Sequence, residues 1–285
     1  MCNILNQNPA FHATSTQETP FILRSIANAW KNSFNIKNEL NLDREGTEDR
    51  MRRTLRAYLS TWHEKTQADV IFDKSRGWSN NILMLQELFP EAVAIVMVRD
   101  LRLCMASIEK QHQQFPVLDD ANEPVGQTII GKADEAMHPT QGIIGSSVVG
   151  VEDIIRRSHK NIVYVQCESL QADPESVMRG VYEAIGEVYF PHNFKKVKNT
   201  AIDPDGFYMY KYPHEGAGEV KPSDPEEWRK FLSPDIAAGI QNRYPFYNHA
   251  FGYDTTEPVR QSSGLRLAGK KSPVRVTLQN QGCQK

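Results

Sequence analysis

Ala94-Ile95-Val96-Met97-Val98-Arg99-Asp100, running on into Leu101-Arg102-Leu103-Cys104-Met105-Ala106-Ser107-Ile108-Glu109-Lys110, decides how the chain is read. Five apolar residues, three of them β-branched, predict a buried parallel strand, and strong helix formers follow without a break. Arg99 therefore stands where the strand ends. In open α/β sheets ligands bind beyond the carboxyl ends of the strands, so a guanidinium there is placed to meet an anion. Ser107, two helical turns on, can add a hydroxyl. The same residues also fit a plain junction in which Asp100 caps the helix, Arg99 pairs with a carboxylate and Ser107 is an ordinary helix residue.

Upstream, Val70-Ile71-Phe72-Asp73-Lys74 reads as a second strand ending in a charge, and Leu83-Met84-Leu85-Gln86-Glu87-Leu88-Phe89-Pro90 leads from it into the Arg99 strand. The order strand-Lys, helix, Leu-Phe-Pro, strand, Arg-Asp, helix, with Ser eight residues after the Arg, resembles the sulfotransferase family. It looks most like the branch that contains the tyrosylprotein sulfotransferases. The resemblance implies an α/β fold with a P-loop-NTPase-like parallel sheet flanked by helices. It also implies a co-substrate, 3′-phosphoadenosine-5′-phosphosulfate, whose sulfuryl group passes to a hydroxyl or amine. Arg99 and Ser107 take the roles of the 3′-phosphate ligands, and Lys74 that of the lysine beside the transferred group.

Composition sets the outer bounds. The 285 residues, 40% hydrophobic and 24% charged, are ordinary for a soluble globular protein, and the net charge of -2 argues against nucleic-acid binding through bulk positive charge. Cys2, Cys104, Cys167 and Cys283 show no metal-ligand spacing, so no metal is expected, and Cys104 and Cys167 lie in apolar patterns as reduced thiols. With no apolar run near the ~18 residues of a membrane span, a cytoplasmic protein is expected.

The chain opens on Ile4 and Leu5, with Pro9 closing the tail of a helix. In the family such a helix follows a first strand and a Pro-[Arg/Lys]-Ser-Gly-Thr-Thr-like loop that wraps the 5′-phosphosulfate. Here the first, central strand and that loop are expected to be absent. Gly145-Ser146-Ser147 and Ser262-Ser263-Gly264 do not substitute, because neither follows a strand and opens a helix. A late start, a piece supplied by another chain, or a catalytically inactive sulfotransferase-like nucleotide-binding or structural protein would each account for this.

Phe11 to Thr19 reads as a polar loop. The tyrosylprotein branch carries its general base in a Glu-Glu-Thr near here, which points to Glu18 before Thr19, with Gln17 in place of the first Glu. His12 is an alternative base, or a surface histidine. An amphipathic helix follows from Pro20 to Trp30, then a polar linker from Lys31 to Asp49. A second helix carries Met51, Leu55, Leu59 and Trp62, with Arg52, Arg53 and Arg56 on its outer face. Those arginines read as a solvated face, or less readily as a grip on an acidic acceptor.

Beyond the Arg99 helix, Gln111 to Met137 reads as a long irregular stretch where the family places acceptor loops. Ile143 to His159 is a helix and Asn161 to Gln166 a strand. Cys167-Glu168-Ser169-Leu170 with Asp173-Pro174-Glu175 is similar to the family's Tyr-Glu-x-Leu and x-x-x-Pro-Glu, with Cys167 in place of the aromatic residue. Gly186 caps the next helix. Gly206 to Pro222 matches a loop that closes over the nucleotide, which makes Lys221 a phosphate ligand by resemblance and a surface lysine otherwise. Trp228, Phe231, Leu232, Ile240 and Tyr244 form the closing helices, and Gly252-Tyr253 is similar to the family's terminal pair. The domain is thus expected over 1–254. A flexible basic tail is expected over 255–285, with Val274 to Leu278 alternating like a strand. A small-molecule kinase is disfavoured, since no Walker loop is visible. The acceptor, a small molecule, glycan or peptide, is set by loop shape.

Overall fold

The computed structural model describes residues 1–114, 128–201, 217–254 and 265–268, with the backbone alone for the last. They fall into two compact units, Met1–Ala92 with Thr200 and Ala201, and a second from Val93 onward.

The first unit begins with α1 (Cys2–Leu5), whose Ile4 and Leu5 are buried, and β1 (Phe11–Thr16). The expected polar loop at Phe11 to Thr19 is thus largely a strand. Parallel pairing with β2 (Val70–Lys74), Phe11 against Val70 and Ala13 against Phe72, overrides its polarity. Inward Phe11 and Ala13 alternate with outward His12. Between these strands run α2 (Thr19–Asn32), α3 (Phe34–Leu42) and α4 (Arg44–Trp62).

The stretch read as a linker is therefore helical almost throughout. Ser33 Oγ accepts from Ile36 N–H at 3.4 Å and Asp43 Oδ1 from Gly46 N–H at 3.0 Å, so each helix start is capped locally. An Arg50–Glu39 pair at 2.9 Å ties α3 to α4. A core of Leu23, Leu55, Leu59 and Leu88 joins α2 and α4 to α5 (Ile82–Leu88), with Ile26, Trp30, Tyr58 and Trp78 packed around it. The α4 arginines are not a free basic face. Arg52 reaches Glu87 at 3.1 Å, Arg53 pairs with Asp49 at 2.9 Å, and Arg56 Nε donates to the Leu88 carbonyl at 2.6 Å.

The second unit holds β3 (Ala94–Val98), α6 (Leu101–Gln114), α7 (Ile129–Ala136), α8 (Gly145–Arg156) and β4 (Ile162–Gln166). The stretch expected to be irregular from Gln111 thus finishes α6 and carries α7, whose start is capped by Thr128 Oγ1. Gly145 opens α8 but follows a turn rather than a strand, so, as expected, it does not have the strand-loop-helix setting of a phosphate loop. A Cβ there would run into the carbonyls of Met137 and His138, which is why glycine stands at this close approach.

β3 and β4 are parallel in register, Val98 beside Gln166, and β5 (Leu265–Ala268) adds antiparallel to β4. A strand therefore lies inside the stretch read as tail, while Val274 to Leu278 is outside the described residues. β4, paired on both edges, is buried from Ile162 to Val165. β3 is not the fully buried strand its composition predicts. Among the described residues it is paired on one edge only, Val98 is buried, and Met97 is exposed.

After β4 come α9 (Cys167–Ala172) and α10 (Pro174–Ile185). Asp173 caps α10 through Ser176 N–H at 3.2 Å, and Gly186 ends it in the left-handed conformation, φ 74°. A 3-10 turn at Glu227–Lys230, α11 (Pro234–Arg243) and α12 (Pro245–Phe251) close the unit. The fold is mixed α/β, with small parallel sheets flanked by helices. The parallel strands are divided between two sheets rather than joined in one, among the described residues. No described helix is long and apolar enough to cross a membrane.

Candidate functional site

In the second unit Arg99 leaves β3 with its backbone clamped. The Tyr247 hydroxyl accepts from Arg99 N–H at 3.1 Å and donates to Arg99 C=O at 3.0 Å. Asp100 is buried, and its carboxylate takes Arg102 N–H at 2.8 Å and the Arg102 guanidinium at 2.6 Å. Asp100 thus caps the start of α6, as the plain junction has it, and its carboxylate also holds the guanidinium of Arg102 rather than that of Arg99. The Arg99 guanidinium makes no ion pair among the described residues.

Burial, the larger influence, pushes the Cys104 thiol up to about 12, and Arg99 opposes that rise. The same two influences act on Cys167, at about 11. The positive charge is therefore felt at the first turn of α6. Ser107 is one turn beyond Cys104 on the same stripe of the helix, half-buried, and its hydroxyl makes no hydrogen bond among the described residues.

Glu168 holds this junction from behind. Its Oε1 accepts from Asp100 N–H at 3.1 Å and its Oε2 from the Tyr253 hydroxyl at 3.0 Å. Burial and then the Glu168 carboxylate keep that hydroxyl far above the usual phenol range, so it remains a donor. The Glu of the Tyr-Glu-x-Leu-like motif and the terminal Gly-Tyr thus meet across the Arg99 loop. Tyr247 had no signal in the sequence beyond being an aromatic residue in a helix.

Lys221 belongs to a segment bonded to the Phe194–Val197 stretch, with Val220 N–H donating to Phe194 O at 2.8 Å. Its side chain is 71% exposed, and its ammonium pairs with Glu219 at 3.3 Å. It is turned to solvent rather than enclosed. Lys110, beside Gln111, pairs with Glu227 at 3.5 Å. Gly206 to Gly216 lie outside the described residues. Also missed by the sequence is a buried pair, Glu109–Lys132 at 2.5 Å, both side chains 9% exposed, joining α6 to α7.

In the first unit Lys74 ends β2. Its backbone N–H donates to Thr14 Oγ1 at 3.0 Å, its carbonyl accepts from Gln17 N–H at 2.8 Å, and its Nζ donates to Thr16 Oγ1. Glu18 directly precedes α2, exposed, and its carboxylate makes no hydrogen bond or ion pair among the described residues. Lys74 and Glu18 thus share the carboxyl ends of β1 and β2. His12 sits four residues back from Thr16 on the exposed face of β1, about 13 Å along the strand. The structure does not bring it to Lys74.

What orders this end is Asp73, which no motif marked. Both its oxygens accept from Thr19 Oγ1 at 2.9 Å, Oδ1 from Trp78 Nε1 at 2.8 Å, and Oδ2 lies 3.0 Å from His63 Nε2. One carboxylate therefore ties the start of α2, the end of α4 and the turn after β2 to the residue before Lys74.

No curated protein matches this chain. The model of a sulfotransferase family matches residues 1–191, which include Lys74, Arg99 and Ser107 but not Lys221. A match over that share of the 285 residues, with the strand-Lys and strand-Arg-helix-Ser elements inside it, makes the chain a member of the sulfotransferase family.

Proposed function

We propose that the chain binds 3′-phosphoadenosine-5′-phosphosulfate and transfers its sulfuryl group to a hydroxyl or amine, within a P-loop-NTPase-like domain over 1–254 of the tyrosylprotein sulfotransferase-like branch. Family membership supports sulfuryl transfer. The observation that carries the choice of donor is Arg99. It is a guanidinium at the carboxyl end of a parallel strand, backbone-clamped, with no carboxylate partner among the described residues and with Ser107 on the α6 stripe that its charge reaches. A planar cation beside a hydroxyl suits a phosphate dianion, which takes charge-assisted hydrogen bonds from both. Lys221, paired and exposed, is a weaker member of that set.

Lys74 is assigned to the charge that develops on the leaving oxygen. A fixed cation there acts as other preorganised donors do, worth about 3 kcal/mol of barrier. Glu18 is the better base of the two considered, since it shares the Lys74 end and holds no partner among the described residues. It would take the acceptor proton as the new S–O or S–N bond forms. His12 is left as a strand-face histidine.

Calorimetry with 3′-phosphoadenosine-5′-phosphate on the whole chain and on Arg99→Ala tests the donor assignment. Binding by the wild type and loss of it in the variant is the expected result; equal affinity removes the assignment. Appearance of sulfated acceptor then distinguishes a transferase from a protein that only binds the nucleotide.

A further inference from the structure

The end of α4 is fastened to the Lys74 junction at two consecutive residues. His63 Nε2 lies 3.0 Å from Asp73 Oδ2, and Trp62 Nε1 donates to Gln17 Oε1 at 3.0 Å, while Gln17 N–H donates to the Lys74 carbonyl at 2.8 Å. Trp62 is nevertheless 54% exposed. Tyr58, one turn earlier on α4, stacks against it at 5.8 Å between ring centroids and 26° between planes. An indole held by a hydrogen bond and a stacked ring cannot swing inward, so its exposed surface is presented in a fixed orientation. Bonded to it is the Gln17 amide, whose amino group makes no hydrogen bond among the described residues, and the next residue in the chain is the exposed Glu18, whose carboxylate has no partner there.

From this arrangement we infer that Trp62 is the acceptor platform, and that the acceptor hydroxyl is borne on a pyranose ring. The inference rests on the sulfotransferase reading and names its substrate class. A sugar ring has one face of axial C–H groups that lies on an indole, while its rim of hydroxyls stays wet or bonds to amides and carboxylates. A half-exposed indole with one near-parallel ring against it, bonded to the Gln17 amide and with Glu18 the next residue in the chain, meets those needs. A phenol would have to be dried on both faces, which calls for a closed slot. An acidic peptide would need unengaged cations, and the arginines of α4 are already paired or hydrogen-bonded.

Ligand-observed saturation-transfer NMR on the whole chain tests this with methyl β-D-galactopyranoside, methyl N-acetyl-β-D-glucosaminide, 4-nitrophenol and a tyrosine-containing acidic peptide. The expected result is binding of a glycoside, with saturation concentrated on the C–H protons of one ring face. Trp62→Ala should weaken it about tenfold, the size of one lost stacking contact, and Trp62→Phe should retain most of it. Affinity for 3′-phosphoadenosine-5′-phosphate should be unchanged in both variants, which also reports that they are folded. Absence of glycoside binding, glycoside binding indifferent to Trp62→Ala, or a Trp62-dependent signal from the phenol or the peptide instead would each overturn the platform. If those failures accompany Arg99-dependent nucleotide binding, the platform alone falls. If nucleotide binding fails while the Trp62-dependent sugar signal persists, the sugar site stands and the sulfuryl reading falls.

Discussion

The hydroxyl of Tyr247 bonds both the N–H and the C=O of Arg99, at 3.1 and 3.0 Å. A residue at the end of β3, a strand paired on one edge only among the described residues, is thereby fixed by a side chain from α12. Burial, the largest influence, holds that hydroxyl well above its ordinary range, so it stays protonated and able to donate across the alkaline range. Tyr247→Phe removes both bonds and strands two backbone groups. The expected cost is about 1–3 kcal/mol in urea unfolding, together with weaker binding of 3′-phosphoadenosine-5′-phosphate. Unchanged stability would show that the clamp does not form in solution.

Arg99 and Ser107 should separate by magnitude. Arg99→Ala removes a charge and is expected to abolish nucleotide binding in calorimetry, whereas Ser107→Ala removes one hydroxyl and should lower affinity about tenfold. Arg99→Lys keeps the charge but loses the planar fork, and should fall between the two. If Ser107→Ala matches the wild type, the serine is an ordinary helix residue.

Asp73→Asn keeps the shape of the hub but removes its charge. The bonds from Thr19 and Trp78 and the contact with His63 then lose charge assistance, and an expected loss of about 1.5–3 kcal/mol follows from even one such bond. Thr19→Val should be milder, because the carboxylate keeps its other partners. Thermal unfolding monitored by circular dichroism reads both.

The two thiols flanking Arg99 set an alkaline limit. Burial raises Cys104 from 9.0 to about 12 and Cys167 from 9.0 to about 11. The folded chain thus holds protons that the unfolded chain releases above pH 9. Stability from this source is intact below that pH and falls as pH rises from there through the folded values. Tyr164, raised to about 12 by burial, adds to the same fall. Urea midpoints measured from pH 8 to 11 should decline, less steeply in Cys104→Ala. Iodoacetamide at pH 8 should leave Cys104 and Cys167 unmodified until denaturant is added.

The local elements were legible in the chain, because each rests on neighbours in sequence. The strand–helix junctions at Lys74 and Arg99, the Asp173-Pro174 cap, the Gly186 stop and the apolar stripe of α4 follow from spacing and capping chemistry alone. Phe11 to Thr16, in a stretch whose composition predicts a polar loop, and Lys31 to Asp49, whose composition predicts a linker, depart from those expectations for opposite reasons. The first is a strand only because β2 supplies its hydrogen-bond partners, and the second is helical through Ser33 and Asp43 caps embedded in a polar run.

What sequence alone determined is the identity of the charges at the strand ends, since a buried apolar run must stop where a Lys or Arg appears. Only the tertiary structure decided which of them are engaged. It gave Asp100 to Arg102, placed Tyr247 on the Arg99 backbone, gathered Thr19, His63 and Trp78 on Asp73, and turned Lys221 to solvent. Those partners lie up to 148 residues apart, a separation at which no local pattern survives, and hydrogen bonds at such range exist only once the chain has folded.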